Sequence, residues 1–195
     1  MNIIDLINRD RQNAVEATDA NANVCFLATV DEQNWPTVRT LVLREIVHRQ
    51  LIVFVNASSP KWRHLQQQSR SQVLMWYPSL QIQYRVSGEA RVLVTNSIRE
   101  NWHKRPTRAK LLDHFYEQRA PQSARFESRA LLLESFRDHA ERIDTSSLEP
   151  TSDAIGVALH IESIERLDLS QNDLPHARTQ FHWHDNRWEE ETLVP

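Results

Sequence analysis

Arg39-Thr-Leu-Val-Leu-Arg44 decides how this chain is read, because it plants a guanidinium at each end of an otherwise apolar, strand-forming run. A second apolar run at 50–56 follows and leads into Ser58-Ser-Pro-Lys61. Arginine presents a planar fork of donors that matches phosphate, and Ser-Pro-Lys reads as a helix start whose free N–H groups favour an anion. The expectation is a compact anion site for a phosphate-bearing ligand. Arg39 and Arg44 are five positions apart, so in a regular strand they point to opposite faces, and a bulge or a barrel rim must turn one of them. The competing reading is two surface arginines in ion pairs, with Ser58, Ser59 and Lys61 merely capping and solubilising a helix.

Composition narrows the field. The 195 residues can bury one sizeable core. The expectation is a single domain over 1–195, with an N-terminal helix and the main strands in 1–94, a helical region in 95–143 and closing strands in 154–195. An apolar fraction of 40% with 25% charged residues marks a soluble, globular chain. No run approaches the roughly 18 to 20 apolar residues of a spanning helix and no signal-peptide pattern is present, which points to the cytoplasm and away from membranes. A net charge of −3 gives no broad footprint for nucleic acid. Cys25, the lone cysteine, sits in the apolar run 24–30 and reads as a buried small hydrophobe. Gly88 and Gly156 are the only glycines, which excludes a P-loop and a dinucleotide fingerprint. Bound phosphate must then be held by side chains and a helix end.

The rest of the chain supplies a frame. Ile3, Ile4, Leu6, Ile7 and Val15 form a helical stripe, and strands are expected at 24–30, 37–46, 50–56, 72–77 and 80–94. In the last of these Leu80, Ile82, Tyr84 and Val86 alternate with Gln81, Gln83, Arg85 and Ser87, giving one core face and one hydrogen-bonding face. Ser59 and Pro60 open a helix to about Ser69, and Ser97-Ile-Arg-Glu100 matches a capping box. Pro106 ends that helix or restarts the next, and a further helix is expected over 123–142. Strands return at 155–161 and 163–169, with a closing hairpin of 180–184 and 187–193 across Asp185-Asn186. Short links and helices in the second half predict an α+β, mainly β chain: an antiparallel barrel with peripheral helices. Nine histidines include His182 and His184 on one strand face, but no HExxH or CxxC accompanies them, and no metal site is expected.

These stretches resemble the pyridoxamine 5′-phosphate oxidase-like, FMN-binding split barrels. Arg39-Thr-Leu-Val-Leu-Arg44 is similar to the family's R-x-V-L-L-K strand, and Val53-Phe-Val-Asn-Ala-Ser-Ser-Pro-Lys61 to its F-Y-T-N-x-x-S-R-K segment. Gln83-Tyr-Arg-Val-Ser-Gly88 matches Q-x-x-x-x-G, His103-Lys-Arg-Pro106 resembles H-S-R-P, and Gln122-Ser-Ala-Arg125 resembles Q-S-S-R. The C-terminal Trp188-Glu-Glu-Glu-Thr-Leu-Val-Pro195 resembles W-x-x-x-R-L-x-P. The resemblance implies an antiparallel split barrel, a homodimer with FMN at the subunit interface and a small-molecule substrate.

By position, the resemblance places Arg39, Thr40, Leu41, Val42, Leu43, Arg44 and Ser59 against the cofactor, with Arg39 and Lys61 at its phosphate and Arg44 near phosphate and ring. Phe54 and Val55 line the cofactor, Gln83 hydrogen-bonds the flavin edge, Gln122 and Ser123 reach it from the partner chain, and Arg178 is another cofactor contact. A glutamine amide suits a flavin edge because it both donates and accepts. Departures fall on the substrate side. Arg105 and His176 remain of the substrate-binding set, whereas Asn101, Ala109 and Leu174 stand where the family has a tyrosine, a serine and an arginine. Each lost charge-assisted hydrogen bond weakens a phosphorylated substrate by about 1.5–3 kcal/mol. The implied activity is an FMN-dependent oxidoreductase of open substrate. Three alternatives stay open: a genuine pyridoxamine phosphate oxidase, a non-catalytic flavin or haem carrier, and a barrel interaction module.

Overall fold

The computed structural model describes residues 2–93, 97–172 and 174–195. Asn2 caps α1 (Ile3–Glu16) by accepting from the Ile4 amide at 3.0 Å, and Ile3, Ile4, Ile7 and Ala14 form its buried stripe. Val15, expected on that stripe, is exposed. Strands β1 (Val24–Val30), β2 (Pro36–Val47) and β3 (Gln50–Asn56) follow, then α2 (Pro60–Gln67), β4 (Arg70–Tyr77) and β5 (Ile82–Leu93). Helices α3 (Ser97–His103), α4 (Thr107–Gln118) and α5 (Arg129–Glu141) precede β6 (Ala154–Asp168), β7 (Ala177–His184) and β8 (Arg187–Leu193).

Alternation dictates the sheet. Cys25, Leu27 and Thr29 of β1 are buried while Val24, Phe26, Ala28 and Val30 are half-exposed, and β4 and β5 repeat the pattern. The strand order among described residues is β3-β2-β1-β4-β5-β6-β7-β8, and β3 also pairs with β6, so six antiparallel strands close into a barrel and β7 and β8 extend the sheet. Burial pushes the Cys25 thiol up to about 12, which makes it an inert core group.

Several expectations need correction. Gln81 has φ 54° and lies in the turn before β5, so it is not part of the polar row. β5 runs straight through Gly88, where a methyl group would lie 2.0 Å from the His160 carbonyl oxygen. That glycine permits close backbone approach and does not interrupt the strand. Residues 154–168 form one strand, not two. α5 begins only after Ser128, whose hydroxyl accepts from the Leu131 amide, because Ser123 adopts φ 74°. The predicted strand end at 94, the 94/95 boundary and the Ser97 side chain of the capping box lie outside the described residues.

The chain clusters into two compact units. One, the barrel unit, holds residues up to Val53, His64–Arg91 and Val157–Pro195; the other, the helical unit, holds Phe54–Arg63 and Val92–Gly156.

Candidate functional site

In the barrel unit, β2 carries the bulge that its two arginines require. Leu43 pairs with Val53 but Glu45 pairs with Ile52, so Arg44 is the extra residue. The bulge resets the alternation and lets both Leu43 and Ile46 bury. Along the same strand Leu41 is half-buried, whereas Thr40 and Val42 are exposed. Arg39 reaches the Leu27 carbonyl at 3.0 Å, the Thr29 hydroxyl at 2.7 Å and the Thr37 hydroxyl at 2.6 Å. Three of its five donors are thus committed, which fixes the guanidinium plane. His64, buried on α2, completes this cluster with Nδ1 at 3.1 Å from the Thr29 hydroxyl. Partial burial lowers the Arg39 pKa. The sequence reading missed Thr29, Thr37 and His64, although Thr29 and Thr37 face each other in register.

The outward face of the same sheet is apolar. Val38 and Val42 are 70% and 49% exposed, and Val24, Phe26, Leu74 and Trp76 are half-exposed beside them. One row across four strands reads Thr40, Phe26, Leu74 and Arg85. Gln83, Arg85 and Ser87 supply the polar margin of this face, as the alternation predicted.

Arg85 does not stand alone there. The buried carboxylate of Glu165 pairs with Arg85 through one oxygen and accepts from Arg178 Nε at 3.1 Å through the other. Arg178 also donates to the Val194 carbonyl at 3.3 Å. Burial on its own raises the Glu165 pKa, but the hydrogen bonds from Arg178 and Arg85 outweigh it and hold the carboxyl below its usual range. Two cations therefore share one ionised acid. His176, two residues before Arg178, has a buried Nδ1 with no hydrogen-bond partner among the described residues.

The helical unit gathers a different set. Phe54 is half-buried and Val55 buried at the end of β3. Ser59, fully buried, gives its carbonyl to the Trp62 amide and its hydroxyl to the Asn56 carbonyl at 2.6 Å. Lys61 Nζ donates to Gln122 Oε1 at 2.9 Å, and the Gln122 amide donates to the Ser58 hydroxyl at 3.1 Å. Lysine, glutamine and serine from segments 61 residues apart thus meet beside the start of α2. Ser123 is exposed next to them.

Arg105 is otherwise engaged. It pairs with buried Asp113, which also accepts from the Trp102 indole N–H at 2.8 Å. This pairing neutralises the one cation expected to hold a substrate phosphate. Asp113 was invisible to motif reading, although its i+8 spacing from Arg105 across a restarted helix was a usable signal.

Comparison with known proteins accords with this frame. The family model described as pyridoxamine 5′-phosphate oxidase matches residues 12–141. A pyridoxine/pyridoxamine 5′-phosphate oxidase of Enterobacter sp. (strain 638) is 26% identical over 192 residues, covering 98% of this chain and 86% of that protein. One from Acinetobacter baumannii (strain ATCC 17978) is 28% identical over 170 residues, covering 87% and 76%. Among solved structures, PhzG from Burkholderia lata 383, in complex with tetrahydrophenazine-1-carboxylic acid, superposes with a TM-score of 0.85 at 21% identity, covering 100% of this chain and 93% of that one. A pyridoxamine 5′-phosphate oxidase-related, FMN binding protein from Nostoc punctiforme PCC 73102 gives 0.73 at 22%, covering 94% and 95%. At these identities the two structures speak for the fold. With the family model spanning two thirds of its length, the chain belongs to the pyridoxamine 5′-phosphate oxidase family.

Proposed function

We propose that the protein binds FMN and works as an FMN-dependent oxidoreductase on a small molecule, as a homodimer. The observation that carries this reading is the placement of Lys61, held by the Gln122 carbonyl oxygen, beside the α2 N-terminus: a cation where backbone N–H groups also favour an anion. A phosphate monoester fits that donor set, and it is the glycine-free arrangement that the composition demands. In the barrel unit, Arg39 keeps two donors uncommitted among the described residues, and the amide of Gln83 suits the mixed donor and acceptor edge of an isoalloxazine. We assign Arg44, Phe54, Val55, Ser59, Ser123 and Arg178 to cofactor contacts on the same family resemblance.

Bound FMN would supply the two-electron redox step. The chain's own part is to anchor the phosphate through Lys61 and to orient the ring through the hydrogen-bonding groups of Gln83 and Arg178. No side-chain acid or base is required for hydride transfer. The apolar outward face around Val38, Val42 and Phe26 supports a second copy as its cover, since patches of this kind mark interaction surfaces.

The test is spectroscopic. Protein purified with added FMN and then desalted retains flavin absorbance, and Arg39→Ala with Lys61→Ala loses it; a colourless wild type would overturn the reading. A second reading, a genuine pyridoxamine phosphate oxidase, is favoured by the curated relatives at 26–28% identity. Aldehyde formation from pyridoxine 5′-phosphate in air would establish it.

A further inference from the structure

Arginine charge in the barrel unit is out of balance at one place. Glu165 spends both carboxylate oxygens, one on Arg85 and one on Arg178, and its carboxyl is held ionised by them. The trio therefore carries one net positive charge. Arg85 is 41% exposed, and its buried Nε has no hydrogen-bond partner among the described residues. It stands on the same face of β5 as Gln83, two residues away, and next to the apolar Leu74 of β4. A cation with unused fork donors, bordered by an amide on one side and by apolar surface on the other, is arranged to receive a flat molecule that bears an anionic group.

We propose that Arg85 is a specificity-determining residue that receives the carboxylate of an aromatic or conjugated monocarboxylic substrate. The proposal rests on the cofactor reading above for the place of that substrate beside the ring. Charge count favours a carboxylate over a phosphate monoester. The trio offers one surplus charge, which a monoanion balances, whereas a dianion calls for a second cation. In the helical unit Arg105, the other cation expected for substrate, is already neutralised by Asp113. Glu165 acts here as a positioning residue: it keeps both guanidinium groups on this face and leaves the outer donors of Arg85 available.

Benzoate and its neutral isostere benzamide separate charge recognition from ring burial. Calorimetric titration of FMN-loaded protein is expected to give measurable benzoate binding, weakened about tenfold or more in Arg85→Gln, with benzamide changed less than about twofold. Flavin content of the variant is expected to match wild type, because Glu165 still holds Arg178. Independently of any variant, benzoate affinity in the wild type falls as salt rises and benzamide affinity does not. Equal binding of benzoate to wild type and Arg85→Gln would overturn the proposal, as would salt-independent benzoate binding. Pyridoxine 5′-phosphate binding tighter than benzoate through Arg85 would overturn the monocarboxylate assignment. Should the protein take no FMN yet bind benzoate through Arg85, the cofactor reading fails and the anion site stands. Flavin retention without Arg85-dependent benzoate binding gives the converse.

Discussion

Two arginine clusters, one in each unit, differ in a single respect, the ratio of cations to acids. In the helical unit Arg105 meets Asp113 one to one, and the carboxylate is buried and further satisfied by the Trp102 indole. In the barrel unit Arg85 and Arg178 share Glu165. A balanced, buried pair is a structural tie: its charges cancel and its carboxylate takes a further hydrogen bond from the indole. An unbalanced trio on a half-exposed strand face leaves charge for a ligand. A third cluster in the barrel unit tips the other way, since Arg166 serves both Asp10 and Asp168 while the buried Tyr84 hydroxyl donates to Asp10 at 2.5 Å. Burial and that hydrogen bond raise the Tyr84 pKa well beyond the ordinary phenol range. Stoichiometry, more than the presence of arginine, separates function from scaffold.

The comparison can be broken at its structural end first. Asp113→Ala leaves Arg105 without its acid and the Trp102 N–H without an acceptor, and about 3 kcal/mol of stability is expected to go, read as a lower urea midpoint. A loss under 1 kcal/mol would mean that the pair is no tie. Glu165→Gln has a smaller effect on folding, about 1–2 kcal/mol, because glutamine keeps the side chain's shape and a carbonyl acceptor for its arginines. The same variant alters acid behaviour. The folded Glu165 pKa lies below the unfolded value of about 4.3, so the stability it lends is complete above that value and is lost as pH falls through the folded one. Urea midpoints measured from pH 7 down to pH 3 are expected to fall less steeply in Glu165→Gln than in wild type. The smallest effect belongs to Arg85→Gln, expected within about 0.5 kcal/mol of wild-type stability. A large loss there would make Arg85 scaffold and erase the contrast between the clusters.

What the sequence disclosed follows the same division. Strands at 24–30 and 50–56 were legible to the residue because short apolar runs there are bounded by polar and turn residues on both sides. The closing hairpin was legible from Asp185-Asn186, both of which adopt positive φ. Arg39, Lys61 and Gln83 stood out through residue type and local company. Carboxylate partners did not, since Glu165 lies 80 residues from Arg85 and Asp10 lies 156 from Arg166, and no local pattern pairs them. The bulge at Arg44 could be stated as a requirement but not located, because it depends on β3 register. The start of α5 was placed too early because Ser123 offers the same capping chemistry as Ser128 while its backbone turns the other way.

Side-chain anchoring of a phosphate is the claim on which the rest depends, and FMN measured against riboflavin tests it without any assumption about substrate. Calorimetric titration of flavin-free protein is expected to show FMN binding at least a hundredfold tighter than riboflavin, with Lys61→Ala collapsing most of that difference. Equal affinity for the two flavins, or a difference untouched by Lys61→Ala, would contradict the account.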